Sequence, residues 1–310
     1  MARYLVYRCL LTVPLLLGAT LLIFLAGHYA PGDPVQVLLG DHYDPDTAAQ
    51  MRARLGLDRP LVVQFASYLG RAAVLDFGTS YVNPGRRVAD IVRASLPISL
   101  RLAAAAVALA AVLGITLGLA AAVASRPVSD RLVQVAVTAG LSIPSFVVAA
   151  VLVLLFALRW HLLPVAGWGT PGDYVLPVIV MAAAPVAYVT QISRAAVRRV
   201  IAQDYVRTAR SKGLPARAVL LRHVLRNAAL PIVTTLGMAL GYAITGSFVV
   251  EVVFNIPGMA RVAVDAILQR DYVVIQTAVL VYVLLFTAIS LVVDLSYALL
   301  NPRVRYAADV

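Results

Sequence analysis

Six stretches of this chain stay apolar long enough to cross about 30 Å of hydrocarbon as helices. They fall at 9–27, 97–123, 132–158, 175–192, 230–254 and 273–300. Only 13% of the 310 residues are charged, against roughly 25% in an ordinary soluble domain. Such a chain lacks the polar surface to cover these runs in water, so the bilayer is its solvent. Inside a bilayer every backbone polar group must be satisfied within the segment, which selects helices. The sequence therefore predicts an all-α membrane protein with six transmembrane helices. Pro144 interrupts the third run and Pro185 the fourth. Each reads equally well as a kink beside a pathway or as an ordinary packing proline of a membrane helix.

The charges sort by side. If the N-terminus, the 124–131 loop, the 194–228 loop and the tail after Asn301 share one side, that side holds 15 of the 26 Lys and Arg residues and three acids, Asp130, Asp204 and Asp309. The other side holds 11 cations and 11 acids, which leaves Asp294 inside the sixth run. A positive-inside bias of this size predicts that both termini are cytoplasmic. The net charge of +11 is thus a topology signal before it is a binding signal, and nucleic acid is not an expected partner. Arg3 and Arg8 precede the first run, but that run is longer than a secretory h-region and no clear small-x-small site follows. An uncleaved first helix is expected. The single cysteine, Cys9, excludes an intrachain disulfide and reads as a lipid-facing or packing residue.

Two segments on the outer side are too long to be turns. Residues 29–96 contain helix-forming stretches at 46–55 and 61–69, and a small folded cap is expected there. Residues 255–271 begin with a turn at 256–258 and continue as a helical run over 260–270.

The most informative segment is 204–231, D-Y-V-R-T-A-R-S-K-G-L-P-A-R-A-V-L-L-R-H-V-L-R-N-A-A-L-P. Arg207, Arg210, Lys212, Arg217, Arg222 and Arg226 lie in it, with Asp204 as the one counter-charge. Gly213 stands where a helix would turn, and Pro231 is expected to open the fifth run. Beyond Pro215, helical spacing puts Leu220, Leu221, Val224 and Leu225 on one face, with Arg222 and Arg226 on the other. A basic loop this long between spanning helices is expected to dock a cytoplasmic partner. The plainer alternative is an amphipathic helix lying on the membrane surface.

Several chemistries have no sequence support. Lys212 is the only lysine; one glycine follows it and no Ser or Thr, so there is no phosphate-binding G-x-x-x-x-G-K-[ST] loop. The histidines at 28, 42, 161 and 223 have no metal-ligand spacing, and no nucleophile–base set is visible. The chain is not expected to be an enzyme or to hold a cofactor. Intramembrane acids are functional candidates by default, but Asp294 is alone in its span and is read as a packing or paired group. Glu251, the only glutamate, either supports packing against the outer loop or lines a vestibule.

The basic segment resembles the cytoplasmic "EAA" loop of binding-protein-dependent ABC importer permeases, through Thr208, Ala209, Arg210, Gly213, Leu230 and Pro231. The motif's glutamate is absent, as in the peptide branch of that family, whose pattern Y-V-x-T-A-R-x-K-G matches 205–213. The same branch is matched by P-G-D-P-V at 31–35, R-L-G-L-D-R-P-L at 54–61, D-F-G-T-S at 76–80 and F-N-I-P-G-M-A-R-V-A-V-D-A-I-L-Q-R-D-Y at 254–272. The resemblance is to the dipeptide/oligopeptide/nickel permeases of the first-subunit type and covers nearly the whole chain. It implies a type I ABC importer permease fold, with a first helix and extracytoplasmic region over 1–96, a transmembrane core over 97–300 and a cytoplasmic tail over 301–310. It further implies a bacterial inner-membrane location, a second homologous permease, two cytoplasmic ATPases that bind the ATP and Mg, an extracytoplasmic binding protein and membrane lipid as partners. Asp204, Tyr205, Arg207, Thr208, Ala209, Arg210, Lys212, Gly213, Leu214 and Arg222 would then form the ATPase-coupling surface. The cargo is expected among short peptides, although glutathione and nickel chelates are also handled in this family. Two rivals stand beside this reading, an ion-gradient-driven carrier and a membrane scaffold. A carrier would be expected to show several intramembrane ionisable groups and an inverted repeat.

Overall fold

Helices form almost all of the protein, and among the described residues the only β feature is an isolated bridge between Thr79 and Arg87. The computed structural model describes residues 2–29, 33–40, 43–124 and 127–300. It divides into two units. One comprises 1–99 and 257–287, the other 100–256 and 288–310.

In the first unit, α1 (Ala2–Tyr29) is followed by the short α2 (Pro34–Leu39), α3 (Pro45–Leu55) and α4 (Leu61–Ala73). Local chemistry fixes their starts. Asp33 caps α2 by accepting from the Val35 amide at 2.9 Å, and Asp44 caps α3 by accepting from the Thr47 amide at 2.9 Å. Pro34 and Pro45 stand at first-turn positions, where a missing N–H costs nothing. The stretches expected to be helical at 46–55 and 61–69 are helical, whereas α2 gave no sequence signal. α5 (Val88–Val123) begins nine residues before the expected start at 97, so Pro97 rides inside it. Phe77, Val88, Ile91 and Val92 form a core with Met259, Ala266, Val274, Ala278 and Val281. This core joins Phe77 and the first turns of α5 to the chain's later return through the same unit.

The second unit contains the bent segment. α6 (Pro127–Ser142) and α7 (Ser145–Leu152) meet at 103°, and α7 runs on as a π-helical stretch over Val153–Arg159. The span expected over 132–158, interrupted by Pro144, is therefore broken, and the break falls at Ile143 and Pro144. Proline has no N–H to continue the ladder, and its ring disfavours helical geometry at the residue before it. α8 (Pro171–Ile201) starts at Thr170, whose amide donates to Asp173 at 2.8 Å, and passes through Pro177 and Pro185 without a break. Next come α9 (Asp204–Ser211), the single turn α10 (Ala216–Ala218), a π-helical stretch over Val219–Leu225, α11 (Arg226–Thr245) and α12 (Phe248–Val253).

Pro231 lies inside α11 and does not open it, because a continuous apolar helix already runs from Ala216 to Thr245. The chain then breaks at Gly246 and Ser247, so Glu251 belongs to α12 and not to the end of a span. Its carboxylate is fully buried and accepts from the Ser247 hydroxyl at 2.8 Å. α13 (Met259–Gln269) and α14 (Tyr272–Leu300) are the last described elements, with Asp294 buried on α14.

Among the described residues, five helices are long and apolar enough to cross a membrane, and the bent pair, taken as one span, makes six. Between such helices lipid leaves little hydrophobic gain, so close packing through small residues takes over. Gly114 and Gly118 provide it where α5 meets α8: a Cβ at Gly118 would lie 2.6 Å from the Ser193 Cβ and 2.8 Å from the Thr190 carbonyl oxygen.

Candidate functional site

The basic segment forms a two-armed support with a short helix across its tip. One arm is the end of α8 and the other is the start of the long helix beginning at Ala216. α9 carries Asp204 in its first turn, where a carboxylate complements the helix dipole. The Thr208 hydroxyl donates back to the Asp204 carbonyl at 3.0 Å. Val206 and Ala209, one helical turn apart, are the two buried residues of α9. They pack with Ala196 and Val197 of α8, with Val219 and Val224 of the π stretch, and with Ala228 and Ile232 of α11. Burying Val206 alone stabilises this docking by about 1.5–3 kcal/mol. α9 is thereby fixed to both arms.

The second arm differs from the expected amphipathic face. Leu221 is 48% exposed, and Val219 takes its place in the core. The reason is geometric: a π-helix closes i→i+5 hydrogen bonds, so its period brings Val219 and Val224 onto one face. α11 then continues that face at Ala228 and Ile232. Leu220 and Leu225 pack against the core's edge as partly buried residues.

Nine of the ten residues expected to form the coupling surface fall on α9 or in the turn after it. Asp204, Tyr205, Arg207, Thr208 and Arg210 are exposed on the helix, whereas Ala209 is buried beneath it. Lys212, Gly213 and Leu214 form the exposed turn that follows, and Arg222 is exposed on the second arm. Gly213 has φ of 75°, the left-handed region, and its amide donates to the Arg210 carbonyl at 3.0 Å. Pro215, extended at ψ 143°, then aims the chain into the second arm. The expected turn at Gly213 is present, but the loop is much shorter than 194–228, because both flanking helices extend well into that range. Among the described residues, the one ion pair on α9, Arg207 to Asp204 at 3.8 Å, is highly exposed and worth little. The outward surface is thus cationic and mostly uncompensated.

A second feature braces the support. Asp130 on α6 accepts from Arg194 of α8 through both oxygens, at 2.6 and 2.7 Å, and lies 3.1 Å from Arg198. Arg198 also donates to the Ala121 carbonyl of α5 at 3.3 Å. Three helices are tied together a short way up from α9. Sequence reasoning counted these three residues as topology charges and missed the cluster. The available signal was the i, i+4 spacing of Arg194 and Arg198, which puts both guanidinium groups on one helix face. Among the described residues, no group of three or more His, Cys, Asp or Glu side chains is placed to hold a metal ion.

A cationic helix clamped between two spanning helices can bind a partner and transmit force. Comparison with known proteins gives the family of the chain. Residues 114–306 match the family described as binding-protein-dependent transport system inner membrane component, and residues 1–103 match the N-terminal region described for such components. The chain is 39% identical over 306 residues to the glutathione transport system permease protein GsiC of Escherichia coli strain K12, covering 99% of this chain and 100% of that protein. GsiC of Salmonella typhimurium strain LT2 is similar to the same extent. Among solved structures, the MetNI methionine ABC transporter in inward-facing conformations matches 68% of this chain and 96% of its own at a TM-score of 0.59 and 13% identity. An amino acid ABC transporter crystallised with histidines matches 67% and 92% at 0.54 and 18%. Both share the type I fold of ABC importer permeases. The chain is a multi-pass membrane protein that belongs to the binding-protein-dependent transport system inner membrane components, the permease subunits of ABC importers.

Proposed function

We propose that this permease imports short peptides, with α9 as the helix through which ATPases drive it. The full-length likeness to a permease of glutathione, itself a tripeptide, carries the cargo reading. Two cytoplasmic ATPases holding ATP and Mg would grip Tyr205, Arg207, Arg210 and Lys212. A second, homologous permease would complete the path, and a binding protein on the outer face would deliver cargo. Both termini lie in the cytoplasm in this reading, following the side that carries the excess of cations. Closure of the ATPases would draw the two coupling helices together and open the path outward. The clamp on Val206 and Ala209 suits this role, because a force applied to α9 reaches α8 and α11 together.

A cavity of about 200 Å³ at the α6–α7 break is proposed as part of the path wall. Ile143 and Ser145, on either side of Pro144, line it with Pro185 and Tyr242. The deciding experiment is reconstitution with the partner subunits into proteoliposomes, varying ATP and the proton gradient independently. Uptake of a labelled dipeptide or of glutathione should require ATP. Uptake driven by the gradient alone would favour the carrier, and ATP-driven uptake of nickel chelates but not peptides would overturn the cargo assignment.

A further inference from the structure

We infer that the first unit contains a binding site for a phosphate group, carried by a lipid headgroup or by a small soluble molecule. The site is a cavity of about 520 Å³ walled by the last turn of α1, the turn joining α3 to α4, α4 itself and the first turn of α14. Four arginines, Arg52, Arg54, Arg59 and Arg71, line it, and the only acid in the lining is Asp33. Asp33 is already engaged, with one oxygen on the Val35 amide and the other in an ion pair with Arg52. Among the described residues, no carboxylate pairs with Arg54, Arg59 or Arg71. Arg54, Arg59 and Arg71 thus line one cavity whose single carboxylate is already engaged, and an oxyanion would supply the missing counter-charge. Guanidinium is also the side chain best matched to phosphate, through paired N–H donors.

A buried donor makes the same demand. The Tyr68 side chain lines this cavity at 6% exposure, and its hydroxyl makes no hydrogen bond of normal geometry among the described residues. The polar group beside it is the Thr277 hydroxyl, and an acceptor bound in the cavity would give this buried donor a stronger partner. Burial pushes the Tyr68 phenol up to about 12, partly offset by the Thr277 hydroxyl and by Arg71. The phenol therefore keeps its proton at any physiological pH and remains a donor. Tyr81 and Tyr272 add aromatic walls. The end of α1 and the start of α14 are the ends of two helices long and apolar enough to span, which puts the cavity near headgroup depth, where tyrosine is favoured and arginine can snorkel.

The test uses the full-length chain, purified and stripped of lipid. In one arm, native mass spectrometry follows retention of phosphatidylglycerol against phosphatidylethanolamine. In the other, thermal shift follows titration with inorganic phosphate. Two variants are compared with wild type, a triple Arg54→Gln/Arg59→Gln/Arg71→Gln and the isosteric Tyr68→Phe. A control, Arg207→Gln/Arg210→Gln, removes two cations outside this unit. Wild type and control should bind in at least one arm. The triple variant should lose about tenfold or more in affinity, equivalent to about 1.4 kcal/mol or more. Tyr68→Phe, which keeps the packing, should lose less. A lipid source appears as selective retention of phosphatidylglycerol, a soluble source as saturable stabilisation by phosphate. Binding by the triple variant equal to wild type, or no binding by wild type in either arm, overturns the site. Should the triple variant unfold, Tyr68→Phe alone decides, because unchanged binding would contradict the buried donor's role.

Discussion

The Ser80 hydroxyl donates to the Asp271 carboxylate across 191 residues of sequence. The same carboxylate accepts from the amides of Tyr81 and Val82 at 3.2 and 3.4 Å, and from Val274 at 3.4 Å at the start of α14. Ser80 in turn accepts from the Asn83 amide at 2.9 Å. Ser80 closes the D-F-G-T-S stretch and Asp271 lies near the end of the 254–272 stretch, so two separate sequence motifs are one structural joint.

Removing Asp271 should therefore loosen the first unit. The residue is 3% exposed, and its loss strands several donors at once. Asp271→Ala should cost about 3 kcal/mol, from hydrogen bonds to a charged group and from donors left unpaired. Ser80→Ala should cost less, because the backbone amides keep their acceptor. Thermal unfolding in detergent checks the order. Equal stability of Asp271→Ala and wild type would remove the joint from the account.

Gly118 gives a second prediction, in the other unit. Its missing side chain lets α5 approach α8 closely enough that even a Cβ meets backbone. Gly118→Leu should push the helices apart and cost about 1–3 kcal/mol by overpacking. Gly118→Ala should cost less and should lower the yield of folded protein in proportion. Fluorescence-detected size exclusion of the detergent extract reads both.

Much of this was legible in sequence because long apolar runs and charge sidedness depend on composition alone. The 46–55 and 61–69 helices and the turn at Gly213 were readable from local chemistry. What failed was continuity. A proline does not say whether a membrane helix ends, bends or passes through: Pro144 sits at a 103° bend, whereas Pro185 and Pro231 lie inside unbroken helices. Neighbouring helices decide this by the room they leave for the freed carbonyl. The π stretch at 219–225 was hidden for a related reason, since its insertion shifts the period by one residue and a 3.6-residue reading then misplaces Leu221. Joints such as Asp130 with Arg194, or Ser80 with Asp271, depend on tertiary meeting points that no local pattern encodes.

The proposed sidedness has a direct check. Asp44 and Gln269 are both exposed, and Cys9 is the only native cysteine. In a Cys9→Ala background, Asp44→Cys and Gln269→Cys should each react with a membrane-impermeant thiol reagent in intact spheroplasts. Arg210→Cys, on α9, should react only after lysis. The reverse pattern would invert the topology and with it the assignment of α9 to the cytoplasm.

Gly213 tests the coupling role itself. At φ 75° it occupies a conformation that costs an ordinary L-residue about 1–2 kcal/mol, and more for a β-branched one. A Cβ there would meet nothing within 4 Å, so the penalty of a substitution is conformational and not steric crowding by neighbours. Gly213→Val should therefore leave the spanning helices inserted while re-aiming the turn between α9 and Pro215. Since α9 is held by only two buried side chains, a small change in that turn should displace its cationic face. The expected result is a normal yield in the membrane, reduced co-purification of the ATPases and loss of ATP-dependent uptake. Gly213→Asn, which tolerates left-handed geometry, should retain most of both. If the valine variant binds ATPases and transports as well as wild type, α9 is not the coupling element. If asparagine and valine fail equally, the glycine is needed for close approach of a partner and not for its backbone angle.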